Sequence, residues 1–121
     1  MPEESFLVNR IKSVGIALRG AWDLLRTEAS IQIQAAIAVV ITAAGFYFGI
    51  EAWEWCIQLL AIGLVMGVEG VNTAIEKLAD YVQPEHDPRI GRLKDLSAGA
   101  VMITSVLAAL TGLIIYGPKL F

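Results

Sequence analysis

Two stretches of the chain carry no charged residue, and each is long enough to cross a lipid bilayer. They are residues 29–50 and residues 96–117, and a transmembrane helix needs about 20 apolar residues. Hydrophobic residues make up 56% of the chain, whereas soluble domains contain roughly 45–50% apolar residues even when glycine is counted. A chain of 121 residues has room for about three spans and for no separate soluble domain. The sequence therefore predicts an all-α membrane protein.

A third apolar segment meets charge before it ends. Residues 55–68 are uncharged, and the helical pattern then continues through Glu69 and Glu76 until Pro84 stops it. We expect this helix to leave the membrane partway along and to extend into the cytoplasm. The predicted spans are residues 29–50, 53–82 and 95–117 of one membrane domain that covers residues 1–121.

The segments outside the spans are either amphipathic or rich in turn residues. Residues 6–26 place apolar side chains at a three-and-four spacing between charged ones, which is typical of an amphipathic helix on a membrane surface. We expect this helix at residues 5–27. Residues 84–93 contain two prolines, a glycine and charges of both signs, and this composition indicates an exposed turn.

The basic residues predict the orientation in the membrane. Of the nine lysines and arginines, four precede the first span, four lie from Lys77 to Lys94, and only Lys119 follows the third span. Under the positive-inside rule, the N-terminus and the second connection are cytoplasmic and the C-terminus is outside. A net charge of −3 offers no basic face for nucleic acid, so no nucleic-acid partner is expected.

One face of the predicted second span is polar where the helix should still be in lipid. The face comprises Glu69, Asn72, Thr73, Glu76 and Asp80. Offsets of three, four, seven and eleven residues from Glu69 keep these side chains together at about 100° per residue. With a rise of about 1.5 Å per residue, Glu69 lies roughly 24 Å into a hydrocarbon core about 30 Å thick. A carboxylate at that depth is costly and indicates a function.

Each of these acids also has an ordinary structural interpretation. Glu76 and Asp80 could form a solvated helix end, and Glu69 could pair with a neighbouring helix. Glu28 lies directly before the first span, and its negative charge could stabilise the N-terminus of that helix by interacting with the helix dipole. Two non-enzymatic functions are also open. A channel or transporter subunit could line an ion path with Glu69 and Glu76, and a membrane adaptor could present the surface helix to a partner.

A catalytic interpretation starts from the kind of ligand that these acids suit. Two carboxylates without a cysteine or histidine companion suit a hard cation, and Mg²⁺ takes one or two carboxylates together with substrate phosphates. A metal, a lysine and a further acid that accepts a hydroxyl proton are the components of phosphoryl transfer. The chain contains no G-x-x-x-x-G-K-[ST] loop, so any nucleotide site must be built from helices.

A short run at the predicted membrane edge resembles the signature of a known family. Residues 69–76 read EGVNTAIE, and Asp80 and the run GRLKD at residues 91–95 follow. With Glu28 before the first span, this pattern resembles the prokaryotic diacylglycerol kinase and undecaprenol kinase family over nearly the whole chain. The resemblance implies an enzyme of the bacterial inner membrane that transfers the γ-phosphate of Mg-ATP to a lipid alcohol at the cytoplasmic face. It also implies a homotrimer with active sites shared between subunits.

Two lipid alcohols are possible acceptors under this resemblance. Diacylglycerol, which would give phosphatidic acid, is the first expectation. Undecaprenol, which would give undecaprenyl phosphate, is the alternative. Because the peripheral positions that line an acceptor pocket differ within the family, the chain alone leaves this choice open.

The resemblance implies a role for each matching residue. Glu69 would act as the general base on the lipid hydroxyl, and Asn72 would orient it. Lys94 would neutralise the transferring charge on the nucleotide, and Asp95 would support the site. The Mg²⁺ ion that bridges the ATP phosphates would be held by Glu28 and Glu76.

Further nucleotide and lipid positions follow from the same resemblance. Glu85, His86 and Asp87 would lie along the nucleotide. Departures from the proteobacterial diacylglycerol kinases leave the metal ligands and the base unchanged. The position of a nucleotide-binding arginine is occupied by Asn9, with Arg10 next to it. Ile16 takes the place of a nucleotide-binding tyrosine, and Ala98 takes the place of a lipid-binding serine.

Overall fold

The chain folds into four helices in the computed structural model, which describes residues 5–121. They are α1 (Phe6–Thr27), α2 (Ala29–Phe48), α3 (Ala52–Val82) and α4 (Pro88–Leu120). Residues 5–121 contain no strand. In this part of the chain, α2, α3 and α4 are the three helices that are long and apolar enough to cross a membrane. The all-α architecture of one amphipathic helix and three spans is confirmed.

The orientation across the membrane stays a prediction, and residues 1–4 lie outside the described part of the chain. The two ends of the bundle are called proximal and distal. The proximal end is the end where α1 and α3 finish and where α2 and α4 begin. The distal end is the opposite one, where α2 and α4 finish and α3 begins.

Helix α1 is separated from α2 by a single extended residue. Ser5 caps the N-terminus of α1, since its hydroxyl accepts a hydrogen bond from the Val8 backbone N–H at 3.2 Å. Glu28 has φ −101° and ψ 115°, so the helical path breaks there. None of the residues of α1 is buried within the chain. This isolation is what a helix requires if its apolar side is to contact lipid.

The connection between α3 and α4 is shorter than the sequence predicts. The turn expected over residues 84–93 is wrong in its second half, because α4 already begins at Pro88. Proline suits the first turn of a helix, where its missing N–H leaves no hydrogen bond unmade. Asp87 then caps the helix, since its carboxylate accepts a hydrogen bond from the Arg89 backbone N–H at 2.8 Å.

The connection between α2 and α3 is tight and depends on two glycines. Gly49 ends α2 in the left-handed conformation, with φ 60°, which residues with a Cβ adopt at a cost. A Cβ on Gly45 would lie 2.7 Å from the Trp55 ring, so glycine is needed for that ring to pack on α2. The Trp55 ring also lies 4.8 Å from the Phe46 ring, measured between centroids.

A small core and a polar cluster hold the three spans together at the distal end. The core consists of Ile50, Ile115 and Tyr116, with Phe48 and Trp55 packed against it. Two polar contacts lie beside this core. Lys119 of α4 lies 3.1 Å from the Glu54 carboxylate of α3. The Tyr116 hydroxyl lies 2.5 Å from Gln58 Oε1 and 3.1 Å from the Ile41 carbonyl oxygen.

Replacing Tyr116 with phenylalanine tests this distal cluster. The change should lower the free energy of unfolding by about 1–2 kcal/mol, because it leaves the buried Gln58 Oε1 without a hydrogen-bond donor. Denaturation in mixed detergent micelles, followed by tryptophan fluorescence, measures the loss. The matched control is Tyr47→Phe, since the Tyr47 side chain is 84% exposed and should not change stability. An equal effect of the two substitutions would contradict the assignment of the cluster.

Candidate active site

One face of α3 is covered by the other helices along most of its length. Its buried residues are Glu54, Gln58, Glu69, Asn72, Thr73 and Ala79. Their spacing keeps them on one side of the helix. All of them except Ala79 are polar. The buried face of α3 is therefore where the chain concentrates its membrane-embedded polar groups.

The covered face changes in character along the helix. Between Gln58 and Glu69 it presents apolar residues, which include Ile62, Val65 and Met66, to a cavity of about 710 Å³ between α2, α3 and α4. From Glu69 onward its buried residues are polar except for Ala79. The covered face therefore changes from apolar to polar at Glu69, and the depth of Glu69 in the membrane stays a prediction.

Glu69 and Asn72 are buried with unused hydrogen-bond acceptors. Glu69 is 8% exposed and Asn72 is 7% exposed. Asn72 Nδ2 donates to Glu76 Oε1 at 3.2 Å, whereas the buried Asn72 Oδ1 accepts nothing. Among residues 5–121, Glu69 makes no side-chain hydrogen bond or ion pair. Because buried polar groups usually have partners, these two acceptors are available to a group that can donate a proton.

Glu28 is brought to α3 by two contacts at the junction of α1 and α2. Its Oε1 lies 3.2 Å from Lys77 Nζ. One turn before this junction, Leu24 Cδ1 lies 3.0 Å from the place where a Cβ on Gly70 would be, so the glycine permits a close approach. The ion pair puts Glu28 beside the turn of α3 that carries Glu76.

Lys94 joins α4 to the same part of α3. Its ammonium forms an ion pair with the Asp80 carboxylate. Both residues line a cavity of about 350 Å³ at the connection between α3 and α4, together with Glu85, His86 and Asp87. The residues expected along the nucleotide and the lysine expected to neutralise charge therefore share one cavity.

Asp87 in this cavity already has a cationic partner. The Arg89 guanidinium donates to the Asp87 carboxylate at 3.1 Å, and the Arg89 backbone N–H donates to it as well. These hydrogen bonds with Arg89 hold the pKa of Asp87 below its usual value. Asp87 is therefore ionised at neutral pH, and its carboxylate is engaged in capping α4.

The other predicted site residues lie apart from these contacts. Arg10 lies over the Phe6 ring of α1, 5.4 Å from its centroid, and Ile16 is 70% exposed. Asp95 and Ala98 are exposed on α4. None of the four lines the cavity at the connection, so their roles stay predictions.

The acids at the proximal end are suitable ligands for a metal ion that binds together with nucleotide phosphates. Residues 5–121 bring together no group of three or more side chains of the kinds that ligate metals. Glu28 and Glu76 each have one oxygen engaged, by Lys77 and by Asn72 respectively. Two hard carboxylates are the protein ligands that Mg²⁺ takes when nucleotide phosphates and water complete its coordination. The donor set therefore fits Mg²⁺ bound with a nucleotide rather than a metal enclosed by protein.

Sequence reasoning missed Lys77 as the partner of Glu28. The two residues are 49 positions apart, so no helical periodicity relates them. The only signal in the sequence is that Lys77 directly follows Glu76 near the end of the polar face. A pairing of this kind depends on how two helices pack and cannot be found from spacing.

Comparison with known proteins gives the family. A family profile described as prokaryotic diacylglycerol kinase matches residues 15–116. The undecaprenol kinase of Bacillus subtilis (strain 168) is 39% identical over 109 residues, which cover 90% of this chain and 89% of the relative. The diacylglycerol kinase of Escherichia coli (strain K12) is 27% identical over 101 residues, which cover 84% of this chain and 83% of the relative.

The match extends over most of both chains in each case. The diacylglycerol kinase of Haemophilus influenzae is 25% identical over 115 residues, and this match covers 95% of this chain and 94% of the relative. The profile contains α2, α3 and most of α4, with every acid and amide at the proximal end described above. The chain therefore belongs to the prokaryotic diacylglycerol kinase family and is a kinase of that family.

Proposed function

We propose that this kinase transfers the γ-phosphate of Mg-ATP to the hydroxyl of a lipid alcohol at the proximal end of the bundle, on the cytoplasmic side of the bacterial inner membrane. The observation that carries the proposal is the buried Glu69, which has no partner in residues 5–121 and lies where the covered face of α3 turns from apolar to polar. A lipid alcohol has its apolar chains in the membrane and its hydroxyl at the edge. Phosphorylation of that hydroxyl therefore needs a base at the boundary between the apolar and polar surroundings.

Glu69 is suited to receive the hydroxyl proton. As the acceptor oxygen attacks the γ-phosphorus, the bond from that phosphorus to the bridging oxygen of ADP breaks and the hydroxyl proton passes to the Glu69 carboxylate. Asn72 is oriented by its hydrogen bond to Glu76, and its unused Oδ1 belongs to a residue one turn of α3 after Glu69. An acceptor hydroxyl that donates to one of these oxygens is held for attack.

The donor side of the reaction involves the acids and the lysine nearer the connection. Mg²⁺, when bound, neutralises charge on the ATP phosphates. Glu28 and Glu76 would hold it, each through a carboxylate with one oxygen still unengaged. Lys94 is exposed to the cavity that contains Glu85 and His86. Its ammonium would turn from Asp80 to the transferring phosphate, with Asp95 one residue further on α4.

The acceptor that the comparisons favour is undecaprenol rather than diacylglycerol. The relative named undecaprenol kinase is 39% identical to this chain, whereas relatives named diacylglycerol kinase are 25% to 27% identical. We therefore propose undecaprenol as the natural acceptor, which reverses the order expected from the sequence. Diacylglycerol remains the alternative.

A homotrimer with shared sites is part of the proposal. Gly63 and Gly67 lie one turn apart on α3, and a Cβ on either would meet nothing within 4 Å. Small residues at that spacing allow helices from different subunits to approach closely. Arg10 and Ile16, which do not line the cavity of their own chain, would then contact the nucleotide of a neighbouring subunit.

Replacing Glu69 with glutamine should reduce phosphoryl transfer by about 10²–10⁴-fold, because the amide cannot accept the hydroxyl proton. The measurement is transfer of labelled phosphate from Mg-ATP to lipid by purified protein in mixed micelles. Glu51→Gln, the same chemical change at the distal end, is the control and should retain activity. Transfer by Glu69→Gln at the rate of the control would contradict the role of Glu69 as base.

Offering the two lipids separately tests the acceptor. We expect kcat/KM for undecaprenol to exceed that for diacylglycerol by about tenfold or more, which corresponds to at least about 1.4 kcal/mol of transition-state discrimination. The reverse ratio would assign diacylglycerol as the acceptor. If folded protein labels neither lipid, the kinase proposal itself fails and the ion-path interpretation of Glu69 and Glu76 gains weight.

A further inference from the structure

The Glu28 side chain contacts Lys77 of α3 instead of capping α2. Glu28 lies between α1 and α2 with an extended backbone, and its side chain makes no capping hydrogen bond to α2. Its carboxylate is 24% exposed and lies 3.2 Å from Lys77 Nζ, whereas the Lys77 side chain is 70% exposed. The lysine is therefore the mobile partner, which can leave the contact for water at little cost in desolvation.

The two acids of α3 nearest to Lys77 each have another partner in the chain. Glu76 accepts from Asn72, and Asp80 pairs with Lys94. No neighbouring acid offers Lys77 a second contact within residues 5–121, since Glu28 is its one ion-pair partner there. A cation that takes Glu28 must therefore displace Lys77, and an anion bound beside that cation would offer the displaced ammonium a new partner.

We infer that Lys77 is a positioning residue that occupies Glu28 in the metal-free kinase, weakens the binding of free divalent metal, and thereby makes metal binding depend on nucleotide phosphates. This inference rests on the proposed function, because it takes Glu28 as a metal ligand. Lys77 and a divalent metal carry like charge and compete for the same carboxylate, so each disfavours the other. Phosphates bound with the metal would give the released Lys77 ammonium an anionic partner, so the competition would be weaker when nucleotide is present.

The competing interpretation is an exposed ion pair that only attaches the α1–α2 junction to α3. Such pairs contribute little to stability. Under that interpretation, removing Lys77 changes metal binding only through the overall loss of one positive charge. The loss of any other cation at the same end of the bundle should then have the same effect, and this difference can be measured.

Titration with Mn²⁺ as a spectroscopic probe for Mg²⁺ separates the two interpretations. The full chain in detergent micelles is titrated without nucleotide, and unbound Mn²⁺ is measured by electron paramagnetic resonance. Lys77→Gln should bind Mn²⁺ about fivefold more tightly than the unmodified chain, because a like charge beside the ligand has been removed. Lys77→Arg, which keeps the ion pair, should restore the original affinity. Arg92→Gln is the matched loss of one cation and should change the affinity less than about twofold.

Adding an ATP analogue that cannot transfer its phosphate gives a second readout. The difference between Lys77→Gln and the unmodified chain should then shrink to less than about twofold, because Lys77 gains a phosphate partner. A fivefold difference that persists with the analogue would overturn the dependence on nucleotide. Equal Mn²⁺ affinities of Lys77→Gln and Arg92→Gln would overturn the inference as a whole.

Glu28→Gln distinguishes failure of this inference from failure of the proposed metal site. If Glu28→Gln weakens Mn²⁺ binding while Lys77→Gln behaves like Arg92→Gln, only the role of Lys77 is wrong. If Glu28→Gln leaves Mn²⁺ binding unchanged, Glu28 is not a metal ligand and both proposals about it are overturned. Tryptophan fluorescence of each variant in the same micelles checks that the bundle is folded.

Discussion

A carboxylate at the edge of a membrane must have a hydrogen-bond donor, a cation or water within reach, because isolated charge has a high free energy in a medium of low dielectric constant. Three acids at the proximal end satisfy this requirement through contacts with Lys77, Asn72 and Lys94. Two of these contacts also join separate segments, because one ties the α1–α2 junction to α3 and the other ties α4 to α3. The contacts that satisfy these acids therefore also connect the segments of the proximal end, and Glu69 is left with its acceptor oxygens available.

The change from apolar to polar along one face of α3 would allow a single helix to serve the two very different substrates that we propose. The apolar part borders a cavity between the spans, and the polar part continues toward the connection that contains Glu85 and His86. Under the proposed function, a lipid hydroxyl would reach the boundary from the membrane, whereas a nucleotide would reach it from water. Glu69 lies at that boundary, so the reaction would take place where α3 leaves the apolar part of the bundle.

Local sequence patterns predicted the helices and the shared face of α3, because both depend on residues that are close in the chain. The sequence prediction misses the start of α4 at Pro88, since two prolines, a glycine and mixed charge indicate a turn although proline can also begin a helix. Contacts between helices could not be predicted at all. The Glu28–Lys77 pair and the Tyr116–Gln58 hydrogen bond join residues 49 and 58 positions apart, and only packing determines which of many polar side chains meet. Arg10 and Ile16 are exposed on α1, and in the proposed homotrimer a neighbouring subunit would cover them.

The central claim is that the covered face of α3 is where phosphoryl transfer occurs. Its most direct test is protection by Mg-ATP of single cysteines placed around α3, in a chain whose own Cys56 has been replaced by serine. Cysteines introduced at Thr73 and Ala79, both buried on the covered face, should react more slowly with a water-soluble maleimide when Mg-ATP is present. Cysteines at Leu78 and Val82, which are exposed, should react at an unchanged rate. Equal protection at all four positions, or protection only at the exposed pair, would contradict the placement of the active site on this face.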